Sequence, residues 1–125
     1  MARQKKILLI DDCGSDVELF REILSQQGFS VEAAPEIDDF LSLLREKQFD
    51  LLLIDQMMFG QLDAGTELIE SLFDEFDKEL PPTYLMSGLP VNFVEDRVAQ
   101  SGAAGFLSKD EPAEMVAAVQ KILNA

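Results

Sequence analysis

Four consecutive aliphatic residues closed by a carboxylate constrain this chain more than any other feature. They lie in Phe49-Asp50-Leu51-Leu52-Leu53-Ile54-Asp55, with Gln56-Met57-Met58 just beyond. A run with no polar alternation reads as a strand buried on both faces, and such strands belong to parallel sheets packed between helices. Asp55 then stands where the chain leaves the sheet. Open α/β sheets place ligands outside the carboxyl ends of their strands, beside a topological switch point, so Asp55 is the first candidate for function. The plain alternative is a carboxylate capping the segment that follows.

A second doubly apolar strand, Ile7-Leu8-Leu9-Ile10, ends in Asp11-Asp12. After a turn at Cys13-Gly14, Ser15 is expected to cap a helix, with Glu18 completing a capping box and Gly28 ending it. Phe29 to Ala34 reads as a strand, and Pro35 is expected to open a helix carrying Ile37, Phe40, Leu41 and Leu44. Beyond Asp55 comes a polar loop containing Gly60 and Gly65. An acidic helix with Leu68, Ile69, Leu72, Phe73 and Phe76 follows, broken before Pro81-Pro82. Thr83 to Ser87 is a fourth strand, Val91, Val94 and Val98 mark a helix closing near Gly102, and Gly105 to Lys109 is a fifth strand. Pro112 begins the last helix.

This is βα five times with short connections. The expected fold is α/β: a five-stranded doubly wound parallel sheet of the flavodoxin-like order 2-1-3-4-5, with five helices on its two faces. In that order the first and third strands flank the switch point, so Asp11, Asp12 and Asp55 converge at one edge.

Composition narrows the chemistry. A chain of 125 residues, 47% hydrophobic, has room for one well-developed core. There is no histidine, which removes Ser-His-Asp and Cys-His nucleophile systems and histidine-held metals. A net charge of −14 argues against direct nucleic-acid binding. No apolar run suits a membrane span or a signal peptide, so no membrane association is expected. The single cysteine, Cys13, fits a reducing cytoplasm and has no basic partner nearby in sequence to make it a nucleophile. Glu67, Glu70, Asp74, Glu75, Asp77 and Glu79 are expected to form a solvated helix face.

Three carboxylates meeting at one spot need a reason. Two of them about 4 Å apart repel by roughly 4 kcal/mol at an effective dielectric of 20. Either one carboxyl keeps its proton or a cation sits between them. An all-oxygen donor set points to Mg²⁺, or Mn²⁺. Lys109 and Ser87, ending the fifth and fourth strands, can reach the same rim; a solvated lysine and a helix cap are the plain readings.

With these residues in place, the whole chain resembles the receiver domain of two-component response regulators, the CheY-like fold. The family's acidic pair falls on Asp11 and Asp12, its phosphoaccepting aspartate on Asp55, its hydroxyl residue on Ser87, its lysine on Lys109 and its aromatic switch position on Phe106. The resemblance implies a phosphoryl group taken from a histidine kinase or histidine phosphotransfer protein onto Asp55. It also implies Mg²⁺ held by Asp12, Asp55 and the backbone carbonyl of Met57, with Asp11 acting through water. Ser87 and Phe106 would then convert phosphorylation into a changed surface on the fourth helix, fifth strand and fifth helix, read by a downstream protein target. A single receiver domain over residues 1–125, with no output domain and no turnover of an external substrate, is the corresponding expectation.

The sequence also departs from the family. Phe59 stands where proline is common, the loop from Gln56 to Thr66 is about two residues longer than usual, and Asp110 replaces the proline that normally follows the lysine. A haloacid-dehalogenase-type phosphatase would need a carboxylate at Cys13, and a flavodoxin would not set Asp11-Asp12 against its cofactor phosphate. The remaining competitor is a receiver that acts only as an interaction module, without phosphorylation.

Overall fold

The computed structural model describes residues 3–76 and 79–124. The elements alternate throughout: β1 Lys6–Ile10, α1 Gly14–Ser25, β2 Ser30–Ala34, α2 Ile37–Glu46, β3 Leu51–Asp55, α3 Ala64–Phe76, β4 Thr83–Ser87, α4 Val91–Ser101, β5 Gly105–Ser108 and α5 Pro112–Asn124. The five strands form one sheet in the order β2-β1-β3-β4-β5. Every pairing is parallel, with Ile10 level with Ile54 and Asp55 level with Met86. The expected fold is the observed one.

The pleat explains why β1 and β3 are apolar without alternation. Successive side chains point to opposite faces, and both faces are covered. Leu8, Ile10, Leu52 and Ile54 pack on one face with Phe40 of α2, Leu68, Ile69 and Leu72 of α3, and Val94 of α4. Ile7, Leu9, Leu51 and Leu53 pack on the other with Phe20 and Leu24 of α1 and Met115, Val119 and Leu123 of α5. All eight strand residues are 0% exposed, and each such side chain contributes about 1.5–3 kcal/mol of transfer free energy. The centre of the sheet is therefore rigid, and the carboxylates at its edge stand on fixed backbone.

Several boundaries differ from the sequence reading. The N-cap of α1 is Cys13, not Ser15, and no side-chain cap bond is made there. Instead, the Cys13 amide donates to Asp11 Oδ1 at 2.9 Å, a local turn that competes with a hydroxyl cap. Helix α2 starts at Ile37 after an extended Glu36, so Pro35 precedes the helix rather than opening it. Gly65 belongs to the first turn of α3 and not to the loop. Gly102 closes α4 in the left-handed conformation, φ +88, as expected. On α3, Glu67, Glu70, Asp74 and Glu75 are exposed, as is Glu79 beyond it; Asp77 lies outside the described residues. The Lys109–Asp110 peptide is trans.

Candidate functional site

Parallel strands of similar length put their last residues on one rim. Asp11 and Asp12 follow β1, Asp55 ends β3, Ser87 ends β4 and Lys109 follows β5. Asp11 and Asp55 are buried, at 4% and 5% exposure, whereas Asp12 is exposed. One carboxylate oxygen from each of the three lies within 4.8 Å of the others.

Lys109 reaches into this cluster with a largely buried side chain. Its Nζ lies 2.7 Å from Asp11 Oδ2, 2.7 Å from Asp16 Oδ2 and 3.3 Å from Asp55 Oδ2. Only the Asp55 contact has hydrogen-bond alignment; the Asp11 contact is close but off-direction, which leaves Asp11 Oδ2 buried with charge compensation and no directed bond. Burial opposes the ammonium, but Asp11, Asp16 and Asp55 outweigh it and hold its pKa above the ordinary lysine value. For Asp55, burial disfavours ionisation most, the Asp11 charge adds to it, and Lys109 only partly compensates, pushing the pKa up to about 7.

The loop after β3 is drawn into a tight turn. Met58 and Gln61 exchange both backbone bonds, at 3.1 and 2.9 Å, around Phe59 and Gly60. Both central residues have positive φ, +55 and +74, the pattern of a type I′ turn. The left-handed conformation costs Phe59 about 1–2 kcal/mol. Its amide donates to Asp12 Oδ2 at 2.7 Å, a charge-assisted bond that offsets the strain. The start of α3 is tied back by Gln56, which is 0% exposed. Gln56 Nε2 donates to the Leu62 carbonyl and Asp63 Oδ1, its Oε1 accepts from Thr66, and its carbonyl accepts from the Gly65 amide.

Of the residues singled out from sequence, Asp11, Asp12, Asp55 and Lys109 come together. Ser87 sits on the same rim, buried, but its Oγ accepts the Leu89 amide at 2.9 Å, and its carbonyl accepts the Lys109 amide. Met57 lies two residues past Asp55 with a half-exposed side chain. Phe106 is half-buried and lines a groove of about 380 Å³ with Val91, Leu107, Glu111 and Met115. Sequence reasoning missed Asp16, Gln56 and the Phe59 amide. The signal for Asp16 was available: side chains in a first helical turn lean toward the helix N-terminus, and α1 begins directly above the acidic pair.

The donor set suits a hard divalent cation. All candidate ligands are oxygens, one of them buried without a directed hydrogen bond, and the Asp11 repulsion that adds to burial in raising the Asp55 pKa is what a cation relieves. One oxygen from each of the three carboxylates lies within 4.8 Å of the others, so the same cluster would supply the ligands.

A doubly wound sheet in the order 2-1-3-4-5, with its polar residues gathered where β1 and β3 part company, defines a CheY-like α/β domain. Residues 7–120 match the response regulator receiver domain family, and the chain belongs to that family. It is 24% identical over 105 residues to the polar-differentiation response regulator DivK of Brucella anthropi, covering 84% of each chain. Among solved structures it resembles a response regulator receiver protein from Pseudoalteromonas atlantica, with 22% identity, a TM-score of 0.82, and 95% and 97% of the two chains covered. It also resembles the chemotaxis response regulator CheY4 of Vibrio cholerae, with 21% identity, a TM-score of 0.83, and 97% and 100% covered.

Proposed function

We propose that this receiver domain accepts a phosphoryl group on Asp55 from the phosphohistidine of a kinase or phosphotransfer protein, in the cytoplasm, and passes the signal to a protein target. The observation that carries the reading is the convergence of the Lys109 ammonium and the Asp11 and Asp12 oxygens on the buried Asp55 carboxylate. No described helix is long and apolar enough to cross a membrane.

A carboxylate oxygen of Asp55 attacks phosphorus as the donor's P–N bond breaks, and the imidazole leaves with the electron pair. Lys109 faces the phosphoryl oxygens and balances charge there. Asp12, Asp55 and the Met57 carbonyl, with Asp11 through water, would hold Mg²⁺ or Mn²⁺, which supplies further charge neutralisation when bound. The Ser87 hydroxyl, whose oxygen accepts the Leu89 amide, keeps its proton to donate to a phosphoryl oxygen. Phe106 borders the groove between α4 and α5, so a move of its ring changes the surface there, and that surface is the proposed output.

Intact mass after incubation with Mg²⁺ and acetyl phosphate tests the reading. One phosphoryl group per chain is expected, and a chain that stays unmodified under saturating donor is an interaction module instead. Cation binding has its own test, because it stabilises the fold by RT ln(1 + [L]/Kd). Millimolar Mg²⁺ should raise the melting temperature of wild type and far less that of Asp12→Ala. Equal shifts in the two proteins place the metal elsewhere. Asp12→Ala also releases the Phe59 amide, so the shifts and not the baselines are compared.

The lifetime of the phosphorylated state is expected to be long. Met57 and Leu89, two residues past the acceptor and past Ser87, are apolar and cannot hold an attacking water in line. Met57→Asn with Leu89→Glu should speed phosphate loss about tenfold, roughly 1.4 kcal/mol of barrier. Unchanged decay in the double variant would remove these side chains from the account.

A further inference from the structure

Among the described residues, Asp16 is the one charged group at the Lys109 ammonium that the phosphorylation reading does not use. Its carboxylate sits 2.7 Å from Nζ, as close as Asp11 and 0.6 Å closer than the 3.3 Å of Asp55. It does not join the cluster of Asp11, Asp12 and Asp55 that could share a cation. Its side chain is 34% exposed while that of Lys109 is 13% exposed, so the pair reaches from solvent into the site. Three carboxylates thus compete for one ammonium by charge, although only the Asp55 contact is aligned as a hydrogen bond.

We infer that Asp16 is a positioning residue that withholds Lys109 from the acceptor, setting how readily Asp55 is phosphorylated. The inference rests on the phosphoacceptor reading. When an Asp55 oxygen bonds to phosphorus and the donor's leaving group departs with its electron pair, the phosphoryl oxygens bring new negative charge to Lys109. The full pull of the ammonium on those oxygens is available only as far as Asp16 releases it. A carboxylate in the first turn of α1 also favours the helix start by about 0.3–1 kcal/mol, through the helix dipole. That role is independent of Lys109 and predicts no change in the chemistry. The two roles therefore separate on whether the effect passes through the lysine.

The test uses the full chain with acetyl phosphate and Mg²⁺, followed by intact mass. Asp16→Asn, nearly isosteric, is expected to take up the phosphoryl group roughly three- to tenfold faster than wild type, the scale of a partly exposed ion pair. In a Lys109→Met background the same substitution should leave the residual rate unchanged. A crystal structure of metal-free Asp16→Asn supplies a readout that needs no phosphorylation: Lys109 Nζ should close on Asp55 from 3.3 Å to ordinary hydrogen-bond distance, about 2.9 Å. An equal or slower rate in Asp16→Asn, the same change with and without Lys109, or an unmoved Nζ overturns the inference. If wild type itself never gains mass, the phosphoacceptor reading fails, and the Nζ position still decides whether Asp16 holds the lysine back.

Discussion

Asp55→Asn should stabilise the metal-free protein at pH 8 by about 4 kcal/mol and abolish phosphoryl uptake completely. The expectation follows from the position of the acceptor. Burial first and the Asp11 charge second raise the Asp55 pKa from 3.8 to about 7. A carboxyl that binds its proton more tightly in the folded state gives a folded state richer in protons between those two values. Stability then falls as pH rises through that window. The contribution is fully present below about 4 and gone above about 7. Three pKa units correspond to about 4 kcal/mol, at about 1.4 kcal/mol each. Asparagine keeps the shape and cannot ionise, so its curve lacks this slope. Asp50, whose pKa is lowered chiefly by its hydrogen bonds with Arg3, acts in the opposite sense and only as pH falls below about 4. Urea denaturation of both proteins in a chelator at pH 5 and pH 8 isolates Asp55. The gap between them should widen by several kcal/mol toward pH 8. A constant gap would mean that Asp55 ionises normally and that the cluster is already neutralised by other means. Phosphorylation of the variant to full stoichiometry would move the acceptor elsewhere.

The same burial that makes this prediction also made the site legible in the sequence. Leu51 to Ile54 and Ile7 to Ile10 announce strands covered on both faces, and a carboxylate following each must lie at the sheet edge. The βα alternation then fixes which edges are neighbours. What the sequence hid is local and depends on which of two nearby partners a polar group chooses. Ser15 has the residue type of an N-cap, but Asp11 takes the Cys13 amide and the helix starts two residues earlier. Phe59 carries none of the composition of a left-handed turn, and its φ of +55 is held by the Asp12 carboxylate. Asp16 reads as an ordinary first-turn acid until the path of Lys109 is known. Each of these depends on side-chain direction across elements, which residue spacing within one element does not encode.

Gly65 is the clearest such case, and its substitution should have the second large effect. In sequence it reads as part of the polar loop. In the structure it lies in the first turn of α3 with its amide donating to the Gln56 carbonyl at 3.0 Å. A Cβ there would stand 2.3 Å from the Asp55 carbonyl oxygen and 2.9 Å from the Asp55 carbonyl carbon and Gln56 Cα. These are backbone atoms of the central strand's end, so no rotamer change relieves the overlap. Either α3 slides outward by about 1 Å or the Asp55–Gln56 backbone bends; dense packing transmits either shift into the site. Alanine in place of glycine favours a helix interior by about 1 kcal/mol. Overpacking against immobile atoms costs about 3 kcal/mol or more, so the steric effect wins. Gly65→Ala is expected to lower the melting temperature by roughly 10 °C for a domain of this size and to weaken the Mg²⁺-induced shift, because Asp55 moves with its carbonyl. An alanine variant that melts at or above wild type would show that the β3–α3 junction has slack, and that glycine here serves the helix start no better than any other small residue.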